Sequence, residues 1–285
     1  MRGVTLSPLK NLFVGPLAFS KLECKMGDVD QVKKSDPLVI SNLHLSFGGI
    51  QALMDTSLRV QEGEILSIIG PNGAGKTCLL NCITGFYNPQ SGGIYFNGKQ
   101  IVRMSPDKIV KLGIVRTFQH DELFGELSTL DNLLMARHIY SKWGLLSSAI
   151  FLIWAKKGEI ENRMGVDQVI HFLELGSVRD RMVRSLSYGI QKKVGLARAL
   201  VMQPKLLLLD EPMAGMTTKE KEEMVTLIMS INKLGVTIVL VEHDMEVVME
   251  LSDRLVVFNF GQKIAEGLPE AVVQDPQVIK AYIGE

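Results

Sequence analysis

Cysteine is scarce in this chain, the charges cancel, and no apolar run is long. The three cysteines, Cys24, Cys78 and Cys82, are too few and wrongly spaced for a disulfide framework or a zinc pattern. Cys78 and Cys82 stand four residues apart, so on a helix they are neighbours. Two thiols are only half of a tetrahedral metal site, and a packed reduced pair fits a reducing, cytosolic compartment. Basic and acidic residues number 31 each, a balance that exerts no global pull toward nucleic acid. No stretch reaches the ~20 apolar residues that a membrane helix needs. The nearest is Trp143 to Ala155, which is short and closed by Lys156-Lys157. The N-terminus lacks a sustained apolar core and a clear small-residue cleavage site, so no signal peptide is expected. These absences predict a soluble protein, one that can still sit against a membrane partner.

What remains is enough for a substantial core. The length, 285 residues, admits one large domain or two small ones, and an apolar content of 46% is ordinary for a globular chain. Residues 1–37 carry no firm pattern and read as an extension. From Pro37-Leu38-Val39-Ile40 onward the chain is patterned: Leu43, Leu45 and Phe47 alternate with polar neighbours, Gly48-Gly49 turns, and a second strand pattern runs from Ala52 to Val60. Ile94-Tyr95-Phe96 lies between the turn signals Gly92-Gly93 and Asn97-Gly98. These pieces predict a small antiparallel sheet. From about 121 to 190 the character is helical, with Ser128-Thr129 as a start signal. Apolar strands return at Leu206–Leu209, Val236–Val241 and Leu255–Phe258. Between the first two lies a helix whose Thr217 and Glu220 have capping-box spacing and whose Val225, Ile228 and Ile231 mark a buried face. The alternation predicts an α/β fold with a mostly parallel sheet, helices on both faces and an inserted helical subdomain.

The densest chemical signal is Gly70-Pro71-Asn72-Gly73-Ala74-Gly75-Lys76-Thr77, which has the spacing of a phosphate-binding loop. It follows the apolar run Ile65 to Ile69 and opens a helical run beginning at Cys78, the strand–loop–helix context the motif requires. Glycines let the backbone turn sharply beside phosphate oxygens, and free N–H groups at the helix start point at the anion. Lys76 supplies a point charge for the β- and γ-phosphates, and the Thr77 hydroxyl a ligand for Mg²⁺. ATP with Mg²⁺ is the expected ligand pair.

Four further features are weaker taken singly. Leu206 to Leu209 runs into Asp210-Glu211, and carboxylates at the tip of so apolar a strand need a reason. Asp210 is a candidate Mg²⁺ ligand and Glu211, pointing the other way by strand alternation, a candidate base for an attacking water; a pair of helix-capping acids is the other reading. Ser187-Tyr188-Gly189 precedes a helix expected from Lys192 to Leu200 and offers a hydroxyl, a glycine and a helix N-terminus to an anion, although Ser-x-Gly before a helix is common. Gln119, after Arg116-Thr117-Phe118, is by default a surface amide, and a lone histidine at a strand end, such as His243 after Val236–Val241, is more often structural than catalytic.

Taken in order, phosphate loop, Gln119, Ser-Tyr-Gly, Asp-Glu and His243 resemble the ATP-binding-cassette (ABC) ATPases over residues 38–285. The resemblance implies a P-loop nucleotide-binding core with an antiparallel β subdomain and a helical subdomain, working as a head-to-tail pair that sandwiches two ATP molecules. It implies that Phe47 stacks on adenine and that Gly70 to Cys78 cradle the phosphates. Gln119 would sense Mg²⁺ and the γ-phosphate, Ser187 and Gly189 would cap the partner's ATP, Glu211 would be the general base and His243 the switch histidine. Ala214-Gly215-Met216-Thr217 matches the loop that crosses the dimer interface.

Arg116-Thr117-Phe118-Gln119-His120, Leu123-Phe124, Asp131-Asn132-Leu133-Leu134, Glu242-His243-Asp244-Met245 and the ending Ala281-Tyr282-Ile283-Gly284-Glu285 narrow the resemblance to the ATPases of branched-chain amino acid importers. The implied assembly has a second cassette, identical or homologous, two membrane permeases and, indirectly, a solute-binding protein, with this chain peripheral on the cytoplasmic face and no nucleic acid involved. The segment Trp143–Ala155 is expected to pack in the helical subdomain or to face the permeases. The sequence departs from the family pattern at Ile190, where Gln is usual, and at Met216-Thr217. The Met-Thr pair is shared with urea importers, and lipopolysaccharide-extraction ATPases are also similar. DNA-repair and translation cassettes are opposed by the absence of sustained heptads and of a second cassette.

Overall fold

A computed structural model describes residues 36–117, 123–137 and 163–283. Two sheets organise them. In the first, β1 (Leu38–Phe47) and β2 (Ile50–Val60) form an antiparallel hairpin across Gly48-Gly49, and β4 (Ser91–Phe96) and β5 (Lys99–Gln100) follow β1 in the order β2-β1-β4-β5. β1 changes the parity of its buried side chains, from Leu38 and Ile40 to Leu43 and Leu45. The register shifts between Ile40 and Leu43 allow this, with Asn42 at φ 47° and its N–H donating to Ser57 Oγ at 2.9 Å. Such a bulge keeps both apolar pairs on the core side of one strand.

The second sheet has six strands in the order β10-β9-β3-β8-β7-β6: β3 (Ile65–Ile69), β6 (Ile114–Thr117), β7 (Leu206–Asp210), β8 (Thr237–Val241), β9 (Arg254–Asn259) and β10 (Gln262–Gly267). All neighbours are parallel except the β9–β10 pair. Every residue of β3, β7 and β8 is buried, as expected of parallel strands covered on both faces. Leu207 and Leu209 of β7 join one apolar cluster while Leu206 and Leu208 join another, so the expected helices on both faces are present.

The helices are α1 (Lys76–Ile83), α2 (Pro106–Leu112), α3 (Thr129–Arg137), α4 (Tyr188–Leu200), α5 (Thr218–Lys233), α6 (Met245–Leu251), α7 (Pro269–Val272) and α8 (Pro276–Ile283), with a further helical stretch at 163–172. Ser128 Oγ accepts the Asp131 N–H at 3.0 Å at the start of α3. α5 carries the expected capping box, with Thr217 and Glu220 bonding each other's backbone N–H. It buries Met224, Val225, Ile228 and Ile231, each worth about 1.5–3 kcal/mol relative to exposure. α4 begins at Tyr188 rather than Lys192, because the Gln191 N–H already bonds to Ser187 O at 2.9 Å. α3 is held to the following chain by Leu130 N–H to Arg179 O at 2.9 Å and Arg137 Nη1 to Val201 O at 2.9 Å. Among the described residues no helix is long and apolar enough to cross a membrane. Gln119 and the segment Trp143–Ala155 lie outside the described residues, as does most of the N-terminal extension.

Candidate functional site

β3, β7 and β8 are adjacent and parallel, so their carboxyl ends open on one edge of the sheet, where α/β proteins place their sites. From β3 comes the loop Gly70 to Gly75. Gly75 has φ 101°, and a Cβ there would come within 2.5 Å of Ala52 O on β2, so only glycine fits between the loop and the first sheet. Lys76 opens α1 and is buried, with Nζ donating to Gly70 O at 2.6 Å and Pro71 O at 3.0 Å. An ammonium has three donors, so two hold the loop and one remains for a ligand. Burial lowers the Lys76 pKa, opposed by the negative charges of Glu211 and Asp210. Asn72, Gly73 and Thr77 are exposed on the loop's rim, and Cys78 is half-buried behind them. A rim of exposed backbone at a helix start, backed by a cation, suits a polyphosphate.

From β7 comes Asp210, 2% exposed. Arg116, the penultimate residue of β6, donates Nη2 to Asp210 Oδ2 at 2.6 Å and Nη1 to Asn81 Oδ1 on α1 at 2.5 Å. The guanidinium therefore compensates a buried carboxylate and ties both strands to the phosphate-loop helix. Glu211 departs from the expectation of strand alternation. β7 ends at Asp210, and Glu211 takes φ 47°, a left-handed conformation uncommon outside glycine, with its N–H bonded to Val241 O at 2.9 Å. That local turn, not the pleat, sets the carboxylate's direction.

From β8 come Glu242 and His243. Glu242 is 1% exposed and accepts the Met213 N–H at 3.1 Å and the His243 N–H at 3.2 Å. Burial pushes its pKa up against those two bonds. His243 is largely exposed, with Nδ1 3.8 Å from Glu242 Oε2. Among the described residues no group of three His, Cys, Asp or Glu side chains could hold a metal alone. A hard cation here would have oxygen donors from Thr77 and Asp210 and would need the remainder from phosphate and water, the usual condition for Mg²⁺.

Phe47, Ser187 and Gly189 lie on other elements. Phe47 ends β1, half-exposed, with the edge of its ring against Tyr87 (centroids 5.1 Å apart, planes at 70°). Ser187 is exposed at the N-cap of α4 and makes no side-chain cap. Gly189 is buried, and a Cβ there would come within 2.2 Å of Glu220 Oε1. The structure thus brings Lys76, Asp210 and Glu211 to one sheet edge, and packs Tyr188 and Gly189 on the 214–220 segment. The sequence alone assigns no role to Arg116, Glu242 or Tyr87. Glu242 carried the same signal as Asp210, an acid at the tip of an apolar strand.

Residues 53–214 match the family described as ABC transporter, and residues 262–285 match that described as branched-chain amino acid ATP-binding cassette transporter. The chain is 41% identical over 256 residues to the high-affinity branched-chain amino acid transport ATP-binding protein LivG of Salmonella typhimurium, covering 88% of this chain and 99% of that one. It is 40% identical over 252 residues to BraF of Pseudomonas aeruginosa, covering 87% and 98%. Among solved structures, a nucleotide-free ATP-binding cassette from an ABC transporter superposes with a TM-score of 0.77 at 34% identity, covering 88% of this chain and all of that one. A dimeric post-hydrolysis cassette bound to ADP and Pi gives 0.68 at 27% identity, covering 81% and 98%. The chain belongs to the ABC transporter family, among the ATPase subunits of its branched-chain amino acid importers.

Proposed function

We propose that the chain powers uptake of branched-chain or related amino acids by hydrolysing ATP beside separate membrane permeases. The observation that carries the ATPase part is the loop from β3 to α1, folded onto Lys76 Nζ through Gly70 O and Pro71 O, on the same sheet edge as the Asp210 carboxylate that ends β7. The solute class is supported by the match over residues 262–285 and by the names of the relatives, which favour amino acids over urea or lipopolysaccharide. The chain works as a head-to-tail dimer with a second cassette, peripheral on the cytoplasmic face of the membrane, with a solute-binding protein as an indirect partner. Residues 38–285 form the cassette, with 121–190 as its helical subdomain and 1–37 as an extension.

Phosphoryl transfer to water asks a protein mainly for positioning and charge stabilisation. Phe47 holds the adenine, and the backbone of Gly70 to Cys78 holds the phosphates. Lys76 directs its remaining donor to a terminal phosphate oxygen. Mg²⁺, when bound, spreads the charge of the β- and γ-phosphates. Thr77, Asp210 and Gln119 would hold it, Asp210 directly or through water. Glu211 accepts a proton from the attacking water, and His243 faces the γ-phosphate. Ser187 and Gly189 are offered to the ATP of the partner cassette, whose own Ser187 equivalent completes this site.

Copurification with the permeases, followed by reconstitution in vesicles, tests the reading. A solute-binding protein loaded with leucine, isoleucine or valine should stimulate hydrolysis. Equal stimulation by urea, or none with any amino acid, would exclude the proposed solute class.

A further inference from the structure

We propose that Tyr188 is a positioning residue that fastens the N-terminus of α4 to the loop after Glu211, so that Ser187 and Glu211 move as one unit. The inference rests on the head-to-tail reading above, in which those two residues serve opposite sites of the dimer. Tyr188 Oη donates to Ala214 O at 3.1 Å. The ring lies against Gly215, where an added Cβ would stand 3.2 Å from Cε1. Lys192 Nζ sits 5.4 Å from the ring centroid, within cation–π range. The loop itself is wound onto Glu211, with the Ala214 N–H bonded to Glu211 O at 3.2 Å.

The contacts make a short path from one functional residue to the other. Ser187 precedes Tyr188 directly, Tyr188 holds Ala214, and Ala214 is one hydrogen bond from the Glu211 backbone. Glu211 needs such support, because its left-handed φ of 47° is a conformation that surrounding structure must impose. Tyr188 is 49% exposed, so it is not a core side chain kept for burial. Packing alone would also be served by phenylalanine; the hydroxyl is what reaches the carbonyl. An anion closing on Ser187 would therefore pull on the loop that aims Glu211, and the reverse.

The test is Tyr188→Phe in the full chain, which removes the hydroxyl and keeps the ring. Losing one hydrogen bond that orders the reacting geometry should lower kcat about fivefold. The Kd for ATP, measured by fluorescent-nucleotide displacement, should stay within about twofold, and the melting temperature should stay that of the parent. Tyr188→Leu, which also removes the ring contacts, should lower kcat further at the same Kd. A parent-like kcat in Tyr188→Phe, or a loss that appears only in KM or melting temperature, would overturn the tether. Ser187→Arg run in parallel separates the two ideas. If Ser187→Arg is inactive while Tyr188→Phe keeps full kcat, the tether alone is wrong. If Ser187→Arg retains parent activity, the head-to-tail reading fails and the tether fails with it.

Discussion

Arg116 and Asp210 form a buried ion pair, Nη2 to Oδ2 at 2.6 Å, with side chains 4% and 2% exposed. The other end of the guanidinium holds Asn81 on the phosphate-loop helix. The pair makes the candidate metal ligand part of the scaffold before any nucleotide arrives. Removing one partner of such a pair strands the other's charge, at a cost of about 3–5 kcal/mol. Arg116→Met should therefore shift the urea unfolding midpoint of the nucleotide-free protein sharply downward. Asp210→Asn in the same chain should recover part of the loss. An unchanged midpoint in Arg116→Met would show that the pair does not compensate the buried carboxylate.

Glu242 gives stability a pH dependence of definite sign. Burial raises its pKa above the ordinary 4.5, so the folded state holds this proton more tightly than the unfolded chain. Its favourable contribution is full below the unfolded pKa and is lost as pH rises through the raised folded value. Glu242→Gln, which stays uncharged, escapes that loss. Melting curves from about pH 4 to about pH 7 should show the variant gaining on the parent as pH rises. A difference constant across that range would contradict the assignment.

The two described cysteines should be poor nucleophiles. Burial raises the Cys78 pKa, and burial with a second contribution from Cys78 pushes Cys82 up to about 12. Only the thiolate reacts. In the native protein near neutral pH, peptide-resolved mass spectrometry should show maleimide labelling of both far slower than in urea, Cys82 slowest. Bound nucleotide should slow Cys78 further, because Cys78 follows Thr77 directly. Native labelling of Cys82 at the urea rate would refute the burial argument.

The legible parts of this protein were the local ones. The phosphate loop, the Ser128 start signal and the Thr217–Glu220 capping box each reside within eight or fewer consecutive residues, and each formed as spelled. Arg116 was opaque because its partners lie 94 and 35 residues away; nothing beside it in the chain names them. Strand alternation does not govern Glu211, because the pleat stops one residue earlier, where a bond to Val241 O takes over. The start of α4 is hard to read from the sequence because Gly189 is a poor helix former by propensity. Tertiary contacts with Ala214 and Glu220 supply what propensity lacks.

ATP hydrolysis at this edge of the sheet depends on Glu211 as the base. Single-turnover hydrolysis by Glu211→Gln, beside equilibrium ATP binding by the same preparation, tests it most directly. The amide keeps the shape of the side chain and cannot take the proton, so binding should persist while the chemical step slows by about 100-fold or more. The ATP-bound dimer should also accumulate, because a negative charge facing the γ-phosphate is gone. Hydrolysis at the parent rate with intact binding would rule out Glu211 as the base.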